Sequence, residues 1–121
     1  MDGSVPAPRS SSPAHLDLRG STPVAVVDVD EWLDVATAPA VEALLDEALR
    51  RRPQQIAVDL SRCDGADPHG LGVLVRVADK ARAQGTRLVL TGVSSRVRRV
   101  LRLLDLGDAL PVVPHVSRLA S

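Results

Sequence analysis

Asp64, Asp67 and His69 fall within six residues of one another, and carboxylate and imidazole groups so spaced serve as metal ligands or as a general acid and base. A metal site needs a third or fourth donor, and none stands nearby; His15 and His115 lie at opposite ends of the chain. The stretch therefore reads as a capped, solvated loop, with no metal, no cofactor and no catalysis expected. Gly70 and Gly72 come next, but a Gly-x-Gly without a following Lys-Ser/Thr is not a phosphate loop. Gly70 reads better as a point where a helix start lies close to a neighbouring backbone or to a partner. Ser61, Ser94 and Ser95 offer hydroxyl groups that could accept a modification, though each has an ordinary loop or capping role. Arg96, Arg98, Arg99 and Arg102 could meet an acidic partner surface or a phosphate backbone. The plainer account is a solvated helix face in an arginine-rich chain, since Lys80 is its only lysine.

Composition bounds what these residues can serve. The 121 residues make one domain, long enough to bury a core without metals or disulfides. Trp32 is the single aromatic residue, so the core must be built from Leu, Val, Ile and Ala. Stacking on nucleic-acid bases then has no platform. Fifteen basic and fifteen acidic residues cancel, which leaves no global pull toward nucleic acid or an anionic membrane. No apolar run approaches the ~20 residues of a membrane span, and no secretory signal is expected at the N-terminus. Cys63 has no second cysteine to pair with, so a reducing, cytoplasmic setting is expected. The sequence does not fix an oligomeric state and is compatible with a homodimer.

The elements that must position these residues alternate in type. Residues 1–13, rich in Pro and Ser, are expected to form a disordered tail, with one domain over 14–121. His15–Leu18 and the β-branched run Val24–Val29 read as strands. Thr37 offers a helix-capping hydroxyl with Pro39 in the first turn, and Val41, Leu44, Leu45, Ala48 and Leu49 follow at helical spacing. Arg50, Arg51 and Arg52 suit the end of that helix, and Pro53 stops it. Ile56–Leu60 reads as a buried strand. Asp67 caps a second helix bearing Leu71, Leu74, Val75 and Ala78, which Gly85 ends. Arg87–Leu90 is a further strand. Ser94 or Ser95 caps a third helix with Val97, Val100, Leu101 and Leu104 inward, closed by Gly107. Pro111–Val113 forms a last short strand, and a short, fraying helix follows it. Strands alternating with one-faced helices imply an α/β fold, a small mixed β-sheet covered by helices on one face.

Three stretches, in order, resemble one bacterial signalling family. Leu33-Asp34-Val35-Ala36-Thr37-Ala38 is similar to that family's Leu-Asp-x-x-Thr-Ala element. Val58-Asp59-Leu60-Ser61 through Asp67-Pro68-His69-Gly70-Leu71-Gly72 is similar to its strand–loop–helix with the signature Asp-Ser-Ser/Thr-Gly-Leu-Gly. Ser94-Ser95-Arg96-Val97-Arg98-Arg99-Val100-Leu101 is similar to its Ser-Pro-x-Val-x-Arg-x-Leu helix start. The family is that of the anti-sigma factor antagonists, or STAS domains, and the resemblance runs from about His15 to the end of the chain. Two departures stand out. Glu31-Trp32 replaces the frequent Gly-Glu, placing Trp32 near the partner-facing loops or against its own domain. Pro68-His69 replaces the Ser-Ser/Thr whose first residue is the family's phosphorylation switch.

The resemblance implies a non-enzymatic binding protein that docks on an anti-sigma factor, a histidine-kinase-like ATPase and serine kinase, and so regulates sigma-dependent transcription. Partner contacts would centre on Asp67, Pro68, His69, Gly70 and Leu71, with Asp34 and Thr37 nearby. Asp34 and Asp67 would supply polar contacts and caps, Gly70 a close approach, and Leu71 a lean into core or interface. Proline has no hydroxyl, so Pro68 cannot be phosphorylated, yet it suits the first position of a helix, where its missing N–H would be unpaired anyway. The family also implies an alternative role, as a scaffold subunit of a stress-signalling or lipid-transport complex.

Overall fold

The computed structural model describes residues 14–19, as backbone, and residues 24–114. In chain order these form β1 (Ala14–Arg19), β2 (Val24–Val29), α1 (Ala38–Arg50), β3 (Gln55–Asp59), α2 (Pro68–Ala83), β4 (Arg87–Thr91), α3 (Ser95–Leu103) and β5 (Val112–Val113). The expected tail over 1–13 and the short C-terminal helix lie outside the described residues.

The strands lie in sequence order in one five-stranded sheet. β1 runs antiparallel to β2, with Ala14 opposite Val29 and Arg19 opposite Val24. The other three pairings are parallel, and Asp28, Asp59 and Thr91 stand side by side where β2, β3 and β4 end. Three successive crossovers place α1, α2 and α3 on one face, where their apolar residues share one core. The fold is thus the mixed α/β arrangement expected. Strand residues alternate accordingly. Ala25, Val27, Val29, Ile56, Val58, Leu88 and Leu90 join the helices' Val41, Leu45, Leu71, Leu74, Val77, Val97 and Leu101 in the main core. Val24, Val26, Ala57 and Val89 form a smaller buried cluster on the other face. Burial on both sides is why these parallel strands read as nearly unbroken apolar runs.

Helix ends show where local sequence decides and where it does not. α2 closes with Gly85 at φ +83°, while Gly85 N–H donates to the Arg82 carbonyl and Thr86 N–H to the Ala81 carbonyl, the paired bonds of a Schellman ending. α3 makes the same ending at a different place from that expected. Asp105, at φ +56°, takes the left-handed position, with Asp105 N–H donating to Arg102 and Leu106 N–H to Leu101. Gly107 therefore lies beyond the helix end and does not close it. Because α3 stops at Leu103, Leu104 falls off the inward stripe and is 39% exposed. Val100 is half-buried against the core. Thr37 also departs from expectation. It precedes α1, but its hydroxyl makes no cap bond; it is engaged in the loop before the helix.

Candidate docking site

Loops leaving the carboxyl ends of adjacent parallel strands converge at one edge of a sheet. Here three do so: the β2–α1 loop with Trp32, Asp34 and Thr37, the β3–α2 loop ending at Asp67, and the β4–α3 loop ending at Ser94.

The first two loops are stitched together through Leu33. Leu33 N–H donates to the Gly65 carbonyl and the Leu33 carbonyl accepts from Asp67 N–H, both at 3.0 Å, forming a one-residue parallel bridge between Leu33 and Ala66. The Leu33 side chain is fully buried, so the stitch is anchored in the core. Asp34 and Thr37 organise the turn into α1. Asp34 Oδ1 accepts from the backbone N–H groups of Ala36 and Thr37 at 3.0 and 3.1 Å. Thr37 Oγ1 accepts from Asp34 N–H at 3.0 Å and donates to the Trp32 carbonyl. Asp34 Oδ1 and the Thr37 hydroxyl are thus spent on the loop itself, which makes both residues shape-holders.

Asp67 is the N-cap of α2. It has extended backbone, and its Oδ1 accepts from Gly70 N–H at 2.8 Å. Pro68 is the first helical residue, where the lack of an N–H leaves no bond unmade. Pro68 and His69 are both exposed and form the tip of the edge. Gly70 is buried against the stitch: a Cβ there would collide with the Leu33 carbonyl oxygen and stand 2.7 Å from Leu33 Cγ. Of the two roles expected for Gly70, the close approach is thus to a neighbouring backbone. Leu71 is fully buried in the core, so of the core and the interface its side chain takes the core. Its side chain faces inward because it lies on the Leu71–Leu74–Ala78 stripe, and it holds the tip from beneath.

Trp32 ties in the third loop. Its ring packs over Gly65, where an added Cβ would lie 2.7–2.8 Å from ring atoms. The Arg96 guanidinium sits 5.8 Å from the ring centroid, a cation–π distance. Trp32 remains 46% exposed, with Val35 at 65% on the same loop. Sequence reasoning singled out Trp32 but missed Gly65 and Arg96 as its partners. The only local signal for Gly65 was its small size in a loop.

Other chemistry near this edge is restrained. Cys63 Sγ donates to the Gly65 carbonyl at 3.2 Å, and burial pushes its thiol pKa up, away from nucleophilic thiolate. The described residues contain no group of three or more His, Cys, Asp or Glu that could share a metal ion, and no helix long and apolar enough to cross a membrane. Ser94 Oγ caps α3 by accepting from Val97 N–H at 3.2 Å, while the Ser61 and Ser95 residues are exposed.

A loop–helix tip braced by a buried backbone stitch is an arrangement for presenting a shape. The model of the STAS domain matches residues 15–119. The chain belongs to the STAS domain family. Among relatives of this STAS protein, an anti-sigma-B factor antagonist of Listeria monocytogenes is 30% identical over 80 residues, covering 66% of this chain and 70% of that one. The intermembrane phospholipid transport system binding protein MlaB of Escherichia coli is 38% identical over 55 residues, covering 45% of this chain and 57% of its own. The crystal structure of an anti-sigma factor antagonist from Mycobacterium paratuberculosis superposes with a TM-score of 0.74 at 24% identity, covering 87% of this chain and 89% of that one. At that identity the likeness is one of fold.

Proposed function

We propose that this STAS protein is an anti-sigma factor antagonist, a non-enzymatic protein that docks on a histidine-kinase-like ATPase in the cytoplasm and thereby frees a sigma factor. The observation that carries the reading is the exposed Pro68-His69 tip, set at the first turn of α2 and braced from behind. Pro68 and His69 make the central contacts. Asp34, Thr37 and Asp67 shape the walls around them, and Gly70 and Leu71 support the tip from inside. Trp32 and Val35 add exposed apolar surface on the same edge, and Trp is enriched at binding hot spots.

On this reading the usual switch is absent. A phosphate at the start of α2 would add about −1.5 to −2 charges beside Asp67 and break a docked surface by repulsion and desolvation. Pro68 offers no oxygen to carry it. Control of the antagonist then falls to its expression or degradation.

The test is a titration of the protein against candidate anti-sigma kinases with ATP or ADP, followed by mass spectrometry. Tight binding without added phosphate is expected. A Pro68→Ser variant should bind comparably and become phosphorylated. A protein that binds none of the kinases of its host would refute the reading. The likeness to MlaB favours a second reading, a scaffold subunit of a transport complex. It predicts stable co-purification with a larger assembly and no effect on sigma-dependent transcription.

A further inference from the structure

The surface charges of α1 and α2 are answered within the fold. Arg50 and Arg51 pair with Glu47, Arg76 with Glu42, Lys80 with Asp46 and Arg82 with Asp79. α3 is built differently. Its sequence, SRVRRVLRL, holds four arginines and no acidic residue. Among the described residues none of the four forms an ion pair, and only Arg96 has a partner at all, the Trp32 ring. The arrangement works against the isolated helix. Arg98 and Arg102 repel across one turn, and Arg96 stands at the helix's positive end.

Apolar surface adjoins this charge. Leu103 is 75% exposed and Leu104 39%. On another side of the helix an open groove of about 530 Å³ lies between α3 and β5, with Leu101, Leu110 and Val112 along it, Arg98 and Arg102 on its α3 side, and Asp105 as its one acidic residue.

We propose that this face of α3 and the adjoining groove form a second docking surface, which takes an acidic, leucine-bearing segment of a protein partner. Charge complementarity sets the sign of the partner, since Arg98, Arg99 and Arg102 form no ion pair among the described residues and the groove holds a single acidic residue. The exposed leucines and the apolar groove set its second requirement. Nucleic acid fits poorly: the leucines gain nothing from phosphates, Asp105 repels them, and no aromatic platform adjoins the groove. A lipid surface fits poorly as well. The apolar stripe of α3, Val97 and Leu101, is buried in the domain core and is not available to enter a membrane.

The test titrates the whole protein against a fluorescein-labelled peptide of Glu, Leu and Ala with its leucines at helical spacing. The same peptide with Gln for Glu, a DNA duplex and phosphatidylglycerol vesicles form the other arms. Binding of the acidic peptide is expected, weakened about tenfold or more by Arg98→Glu with Arg102→Glu, and also weakened by Leu104→Ser. A charge-matched control, Arg76→Glu with Arg82→Glu on α2, should bind like the parent. Trp32 fluorescence melts establish that each variant is folded, and Leu104→Ser alone decides should the double variant not fold. The proposal is overturned by equal binding of the Gln peptide, by equal losses in the α2 control, or by retention of DNA or vesicles in place of the peptide.

Discussion

Gly70→Ala and Gly72→Ala place the same methyl group two residues apart in the first turns of α2, and opposite outcomes are expected. Each removes a glycine from a helix, which by itself stabilises by about 0.5–1 kcal/mol. At Gly72 an added Cβ meets nothing within 4 Å, so the full gain should appear. At Gly70 it runs into the Leu33 carbonyl oxygen and stands 2.7 Å from Leu33 Cγ. Overpacking against a fixed neighbour costs about 1–3 kcal/mol. The alternative, withdrawing the start of α2, sacrifices the 3.0 Å bond from Asp67 N–H to the Leu33 carbonyl, worth about 1 kcal/mol. Set against the gain from losing the glycine, net destabilisation of about 1 kcal/mol follows for Gly70→Ala. At roughly 4 °C per kcal/mol for a domain of this size, Gly72→Ala should melt about 3 °C above the parent and Gly70→Ala about 4 °C below. Trp32, the only tryptophan, reports both thermal and urea unfolding. A Gly70→Ala protein as stable as the parent would refute the stitch between Leu33 and Asp67 as the brace of the docking tip.

Removing the cap in Asp67→Ala leaves Gly70 N–H without its 2.8 Å acceptor, and a loss of about 1 kcal/mol is expected in urea unfolding. Asp105→Gly relieves a left-handed residue at the end of α3 and should stabilise by about 1 kcal/mol; a neutral or destabilising result would count against the Schellman ending there. Cys63 should resist a thiol reagent at neutral pH in the native protein and react at once in urea. Folding raises its pKa, so the sign follows: its contribution to stability is fully present below the unfolded value of about 8.5 and is lost as pH rises through the folded value. A Cys63→Ala variant should show a flatter decline in stability at alkaline pH than the parent.

Much of this molecule was legible before folding, because the determinants are local. The unbroken Val24–Val29 run, the helical spacing from Val41 to Leu49 and the Asp67-Pro68 start of α2 each state their element within a few residues, and alternation of such elements implies a layered sheet with helices on one side. Capping at Asp67 and Ser94 was legible for the same reason, since the donor lies three residues from the acceptor. What the tertiary structure decided involves pairs distant in sequence. That Thr37 turns its hydroxyl back to Trp32 rather than capping α1 depends on how Leu33 is pinned to Gly65 and Asp67. Leu71 faces the core and Pro68 faces solvent because that same stitch sets the rotation of α2, and Gly70 is required only because a backbone 37 residues earlier passes beneath it. The end of α3 at Asp105 rather than Gly107 is likewise a matter of packing, as Leu106 is drawn toward the core before the glycine is reached. Residue type and spacing determined the elements and their order; contacts between loops that only the closed sheet brings together decided which side chains a partner can reach.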